Sequence, residues 1–334
     1  MSKISVGIVG VGVHVPEKVL TNFDLEQMVD TSDTWIRTRT GIAERRVAAE
    51  GIATSDLAVE AAKAALDDAG ITADEVDLIL VTTSTPDMIF PSTACLVQSK
   101  LGIAGCAAFD LQAACTGFVY GFTVAAQFIE TGMYKTVLLI GADAFTKYVN
   151  WQDRNTCVLF GDGAGAVVLR RVDDGYGLLS SYLAADGSGA DLLKIPAGGS
   201  ALPGNEYSIE NNLHYVQMVG GEVFKFAVRI LPEAGTKALE KAGLTVTDVD
   251  YLVPHQANIR IINAAADRLG INKEKIIVNL EKYGNTSTAS IPLALYDLYA
   301  SGGLKRGDVL LFVGFGAGLT WGANVIRWSE GGGR

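Results

Sequence analysis

Three short segments carry the residue types that chemistry at a carbonyl needs. The first is FDLQAACTGFVYGF (109–122), where Cys115 stands among Ala113, Ala114, Thr116 and Gly117. An apolar stretch ends before it and a helical pattern begins after it, so the spacing predicts a helix over 115–131 with the thiol at its N-terminus. Unpaired N–H groups and a partial positive charge gather there. Both lower a thiol's pKa, and the same N–H groups can hold an oxyanion. Two readings stand on this segment alone: an acylated nucleophile, or a small core filler.

The second segment is VPHQANIRI (253–261), with His255 at the end of a predicted strand. Strand C-terminal ends are where α/β folds place active sites; a hydrogen-bonded structural histidine is the alternative. His14 follows a glycine-rich strand and His214 lies in an irregular stretch, which leaves His255 as the best placed. The third segment is KYGNTSTASIPLAL (282–295), where Gly284 and Asn285 precede a helix carrying Pro292 in its first turn. Asn285 reads as a helix cap or as a hydrogen-bond donor. Together, Cys, His and Asn suit carbanion chemistry on a thioester better than hydrolysis, because neutral His and Asn can both donate to an enolate oxygen.

The elements that must position these groups follow a duplicated pattern. LDDAGITADEVDLILV (66–81) and LEKAGLTVTDVDYLVP (239–254) resemble each other in register at an offset of 173 residues. Each reads as helix end, glycine stop, short loop and buried strand. TVLLIGADA from Thr136 and DVLLFVGFGA from Asp308 repeat at nearly the same offset. This predicts an α/β fold of two similar halves: 1–172 with the cysteine, 221–334 with the histidine and asparagine, and an irregular insertion or cap over 173–220. The offset also brings Asn285 within a few positions of the counterpart of Cys115. Strands are predicted near 4–13, 77–84, 107–112, 136–142, 164–171, 250–253, 276–279, 308–313 and 321–328. Helices are predicted near 23–29, 54–69, 92–101, 115–131, 221–242, 258–269 and 290–301.

Composition narrows the classes. The chain has 334 residues, nearly half of them apolar, with a net charge of −10. That suits a large core and disfavours disorder and nucleic-acid binding. Cys95, Cys106, Cys115 and Cys157 show no CxxC spacing, which points to a reducing cytoplasm. The opening ISVGIVGVGVHV is broken by glycines and reads as a strand rather than an export signal. The uncharged run Val309–Ile326 carries four glycines and fits buried strands better than a membrane span. No metal site is expected, because the histidines are isolated, and no phosphate loop or dinucleotide fingerprint is present.

The chain resembles the β-ketoacyl-acyl-carrier-protein synthase III family along essentially its whole length. The likeness rests on TSDTWIRTRTGIAERR (31–46), FPSTAC (90–95), AACTGF (113–118), DRNTCVLFGDGAGAVVL (153–169), PHQANIR (254–260), GNTSTASIP (284–292) and GFGAGLTWG (314–322). The resemblance implies a thiolase-like fold of five layers, αβαβα, a homodimer, and no cofactor, with the coenzyme A thioester as substrate. It implies that Cys115 takes the acyl group from acyl-CoA, and that His255 and Asn285 stabilise the enolate left when malonyl-acyl-carrier protein loses carbon dioxide. The oxyanion would be held by the Cys115 N–H and the loop Gly316, Ala317, Gly318. Trp35, Arg39 and Arg154 match the coenzyme A site, and Phe90 the position that closes the partner's acyl pocket. Gln256, Ala257, Asn258, Ile259 and Arg260, with Lys225 and Arg268, match the carrier-protein docking region.

Ala317 departs from the three glycines of many relatives, and Asp267 weakens the basic patch on one side. A related starter synthase of polyketide metabolism is the nearest alternative. Elongating synthases and thiolases are disfavoured by Asn285, and a non-catalytic protein on the same fold by the intact Cys115, His255 and Asn285.

Overall fold

The computed structural model describes residues 4–329, so the outermost residues of the two predicted halves, 1–3 and 330–334, lie outside the described residues. The first sheet contains β1 (Val6–His14), β2 (Leu78–Thr82), β3 (Ala107–Leu111), β4 (Val137–Asp143) and β5 (Gly163–Arg171) in the order β1-β5-β4-β2-β3. The second contains β6 (Gly177–Ala185), β7 (Tyr251–Pro254), β8 (Val309–Gly316) and β9 (Thr320–Arg327) in the order β7-β8-β9-β6. Pairs β2–β3, β2–β4 and β7–β8 are parallel, while β1–β5, β4–β5, β8–β9 and β6–β9 are antiparallel.

The main helices are α1 (Asp33–Thr40), α2 (Thr54–Ala69), α3 (Thr93–Leu101), α4 (Gly117–Glu130), α5 (Gly220–Ala242), α6 (Ile259–Leu269) and α7 (Ser290–Ala300). Strand residues alternate in direction, and the cores show what each face meets. Leu78, Leu80, Val137 and Leu139 join Leu310 and Phe312 in a central core built around α4 and α7. Their neighbours Ile79, Val81, Leu138 and Ile140 join an outer core under α2 and α3. Leu311, Val313 and Phe315 face a second outer core under α5 and α6. Helix, sheet, helix, sheet, helix is therefore the layer order. Because both faces of each central strand are covered, these strands read as continuous apolar runs.

Two expectations are corrected. The segment 173–220 is not irregular throughout: β6 runs through it as a nine-residue edge strand paired with β9. Its serines made it read as loop, yet they are satisfied inside. Ser180 donates to Ala238 O at 2.6 Å, and Thr123 Oγ1 donates to Ser181 Oγ at 3.0 Å. The stretch 276–279 forms only an isolated bridge between Leu252 and Ile276, and Asn279 is then drawn off to the Gln256 side chain. Sequence reading also missed α1, which is capped by Ser32 and stopped at Gly41 with φ 85°.

Candidate active site

Cys115 lies in a 3-10 turn, Ala114–Thr116, wedged between the end of β3 and the start of α4. Ala114 holds the turn with φ 48°, an uncommon left-handed conformation for a residue with a side chain. Gly316 backs it closely: a Cβ on Gly316 would lie 2.7 Å from Cys115 N. The Gly316–Gly318 loop therefore passes close to the Cys115 amide.

The expected lowering of the thiol pKa is not what the site produces. Cys115 is 6 % exposed, and burial pushes its thiol up to about 12. Removal of water from the charged form outweighs the hydrogen bond from Ser287 Oγ, 3.5 Å from Sγ. Burial thus favours the neutral thiol over the thiolate.

His255 follows β7, with its N–H bonded to Val313 O at 2.8 Å. Burial pushes the imidazole down to about 3, so it is neutral. Its Nδ1 lies 2.7 Å from Ser290 Oγ at the start of α7, and its ring stands edge-on to Phe315. Asn285 is held by its backbone: its N–H donates to Leu159 O at 2.8 Å, and its carbonyl accepts from Gly161 N at 3.0 Å. These two segments approach closely because both carry glycine. A Cβ on Gly161 would lie 2.4 Å from Tyr283 O, and Gly284 has φ 64° with Leu159 O at 2.8 Å from its Cβ position. The Asn285 Oδ1 accepts from Ser287 N at 2.9 Å.

Cys115 lies where two cavities meet. A narrow one of about 90 Å³ is lined by Cys115, His255, Asn285, Phe315 and Gly316, with Phe224 and Asn258 also on its wall. A wider one of about 780 Å³ also touches Cys115 and is lined by Phe145, Tyr148, Ala197 and Val216. Ala317 and Gly318 line the wider one, as do Met88 and Ile89. Phe90 is 82 % exposed and points away from its own chain's core.

Trp35, Arg39 and Arg154 are brought together. Arg154 lies over the indole at 5.0 Å from its centroid and Arg39 at 5.9 Å, with Arg154 Nη1 bonded to Asp30 O. The docking residues divide. Arg260, Lys225 and Arg268 are exposed, Lys225 beside Glu222 at 2.8 Å. Gln256 is corrected: it is 1 % exposed and donates to Pro254 O and Ile277 O while accepting from Asn279 N. A side chain committed to those three bonds braces the His255 loop and is not a surface contact. Asn258 caps α6 and donates to Arg39 O at 3.0 Å, which ties the loop after His255 to the end of α1.

Sequence reading did not single out Ser287, Ser290 and Phe315, which contact Cys115 or His255, nor the buried Asp143 and the exposed Arg229. Ser287 and Ser290 sit inside the GNTSTASIP segment, and Asp143 ends the repeated strand motif; both locations were signals. Arg229 lies one turn after Lys225 on α5 and is exposed. Among the described residues, no group of three or more His, Cys, Asp or Glu is placed to hold a metal ion, and no helix is long and apolar enough to cross a membrane.

The family described as 3-Oxoacyl-[acyl-carrier-protein (ACP)] synthase III matches residues 109–187, and its C-terminal counterpart matches 239–328. A β-ketoacyl-[acyl-carrier-protein] synthase III of Caldanaerobacter subterraneus is 58 % identical over 98 % of this chain and 99 % of its own. The crystal structure of 3-oxoacyl-[acyl-carrier-protein] synthase III from Aquifex aeolicus superposes with a TM-score of 0.91 at 49 % identity, covering 97 % of this chain and 100 % of its own. A priming β-ketosynthase of the R1128 polyketide pathway superposes equally well, at 0.91, over 98 % of this chain and 97 % of its own, but at 34 % identity.

Proposed function

The chain belongs to the β-ketoacyl-[acyl-carrier-protein] synthase III family, and from that premise we propose how its own residues run the reaction. The enzyme initiates fatty-acid synthesis by condensing an acyl-CoA starter with malonyl-acyl-carrier protein, releasing coenzyme A and carbon dioxide. One observation carries the assignment of residues: Cys115 stands at the junction of the two cavities, and His255 and Asn285 line the narrow one.

The narrow cavity suits the slender arm common to coenzyme A and the carrier protein, and the wide one the acyl chain. Cys115 attacks the acyl-CoA carbonyl. The developing oxyanion is stabilised by the Cys115 N–H and the Gly316–Gly318 backbone. Malonyl-carrier protein then enters by the same route. Ser290 donates to His255 Nδ1, so the neutral ring keeps its proton on Nε2 and donates it, with the Asn285 amide, to the malonyl thioester oxygen. Charge is thus stabilised where it develops, at the enolate formed as carbon dioxide leaves. The enolate carbon attacks the acyl group on Cys115.

Trp35 and Arg154 sandwich the adenine, which requires Arg154 to lift off the indole; Arg39 contacts its polar parts. Arg260, Lys225 and Arg268, extended by Arg229, dock the acidic carrier. A second copy pairs along the edge strand β3, and its Phe90 closes the wide cavity. No cofactor enters this scheme. Four free cysteines fit a reducing cytoplasm.

The test is the intact mass after incubation with acetyl-CoA and branched short-chain acyl-CoAs, beside Cys115→Ala. An acyl adduct that vanishes in the variant supports the assignment. An adduct that persists overturns it.

A further inference from the structure

In the reaction proposed above the Cys115 sulfur carries negative charge twice. It does so as it attacks the acyl-CoA, and again when the new carbon–carbon bond expels it from the acyl carbon. The backbone N–H groups assigned to the oxyanion serve the acyl oxygen, not the sulfur. A different group faces the sulfur: Ser287 Oγ, from the other half of the chain, donates to Cys115 Sγ at 3.5 Å.

We propose that Ser287 is a further catalytic residue, whose hydroxyl donates to the negative charge on the Cys115 sulfur and makes it a better leaving group at condensation. This rests on Cys115 being the acylated residue. Three features of the site support it.

The first is where the bond is strongest. Neutral sulfur, in a thiol or a thioester, is a weak acceptor. A thiolate is charged, and a hydrogen bond to a charged group is roughly twice as strong as a neutral one. The contact therefore tightens as the carbon–sulfur bond breaks, which is what speeds a reaction. Ser287 is 0 % and Cys115 6 % exposed, so water does little to replace the hydroxyl. The second is aim. The Ser287 N–H donates to Asn285 Oδ1 at 2.9 Å, which holds the residue between Asn285 and the sulfur. Two titratable groups share this neighbourhood: His255 on the wall of the narrow cavity, and Asp143, which accepts from Thr288 N at 3.4 Å.

The third is the internal repeat. The turns Ala114–Thr116 and Ser287–Ala289 are related by the 173-residue offset, and they lead into α4 and α7 at the same spacing. Ala114 has φ 48° and its counterpart Ser287 has φ 52°. One half holds this uncommon conformation on alanine, so the backbone does not call for a hydroxyl at 287. In the other half the same position carries a hydroxyl to the nucleophile.

The protons balance with Ser287 keeping its own. On acylation the Cys115 S–H proton goes to solvent, the sulfur bonds to the acyl carbon, and the bond from that carbon to coenzyme A breaks. The departing coenzyme A thiolate takes a proton from solvent. On condensation the enolate carbon bonds to the acyl carbon, the Cys115 C–S bond breaks, and its electron pair stays on sulfur under the Ser287 hydrogen bond. That thiolate then takes a proton from solvent. One solvent proton is consumed overall, as loss of carbon dioxide from a carboxylate requires.

The experiment compares wild type with Ser287→Ala and Ser287→Gly. Both remove the hydroxyl and keep the turn: Ala114 shows that alanine holds it, and glycine tolerates positive φ. Enzyme acetylated by acetyl-CoA is chased with malonyl-carrier protein. Loss of the acetyl adduct is read by intact mass, and carbon dioxide release is measured in parallel. In both variants adduct loss should be about tenfold slower, the worth of one hydrogen bond to a charged group. Carbon dioxide release should stay near the wild-type rate and outrun it. Alkylation of the free enzyme by iodoacetamide should slow about threefold, because a tenfold smaller thiolate fraction is partly offset by its greater nucleophilicity. Wild-type adduct loss and alkylation in both variants would overturn the proposal and leave Cys115 as the nucleophile. Equal slowing of adduct loss and carbon dioxide release, with unchanged alkylation, would also overturn it, since only the hold on Asn285 would then have changed. An acetyl adduct on Cys115→Ala would overturn both the proposal and the reading beneath it.

Discussion

Ser290 Oγ lies 2.7 Å from His255 Nδ1, and both residues are buried, at 1 % and 2 % exposure. The contact joins the first turn of α7 to the loop after β7. A hydroxyl can donate to or accept from that nitrogen, so the contact fixes the ring's orientation, and the proposed Nε2–H form is the tautomer in which Ser290 donates.

Ser290→Ala is expected to loosen that choice. Malonyl decarboxylation should fall about fivefold, in line with one hydrogen bond of roughly 1 kcal/mol in a buried site. Acylation of Cys115 should stay within experimental error. The two half-reactions, assayed apart, provide the check; equal loss in both would count against the assigned role.

Stability should depend on His255 below neutral pH. Its pKa falls from 6.5 in the unfolded chain to about 3 in the folded one, so between those values the unfolded state binds more protons. Stability then drops as pH falls through that window, at up to about 1.4 kcal/mol per pH unit. Asp143 and Asp162 have raised pKa values and act with the opposite sign: what they contribute is present below the unfolded value and is lost as pH rises through the folded one. Urea midpoints from pH 4 to 7 should show a shallower acid slope for His255→Asn than for wild type.

Gly316→Ala should slow acylation about 100-fold or more and also lower stability, because the clash is with backbone. The added Cβ would stand 2.7 Å from Cys115 N, where the oxyanion donor must be free to approach substrate. Loss of one such donor costs about 100-fold or more. Ala317→Gly should be close to neutral, because only its backbone faces the task. Both are read from single-turnover rates beside a circular-dichroism spectrum.

Trp35→Ala and Arg154→Ala should each raise the KM for acyl-CoA about tenfold, the worth of one stacked or cation–π contact. The KM for malonyl-carrier protein should be unaffected. A matched rise in both would place these residues elsewhere than the adenine site.

Arg260→Glu and Arg229→Glu should raise the KM for malonyl-carrier protein in a salt-dependent way, since exposed charges act through a screened field. Gln256→Ala should behave differently. It strips partners from Pro254 O, Ile277 O and Asn279 N, so its effect should be a loss of stability of about 1–3 kcal/mol with no added salt dependence. Salt titrations of KM and denaturant melts separate the two.

Much of this protein was legible in its sequence. The duplicated helix–glycine–strand pattern foretold two α/β halves, because apolar runs and αL glycine stops are local features. Cys115, His255 and Asn285 were singled out by residue type and by their places at element ends. What stayed hidden depended on contacts between distant segments. β6 read as loop because its serines find partners only after α4 and α5 pack against it. Gln256 looked like a surface residue because nothing local shows that Ile277 and Asn279 will close over it. The state of Cys115 was the largest such case. The helix start implied an acidic thiol, but burial by both halves removed the water that a thiolate needs. Only the fold, by closing the chain over the sulfur, decided how little water reaches that thiol.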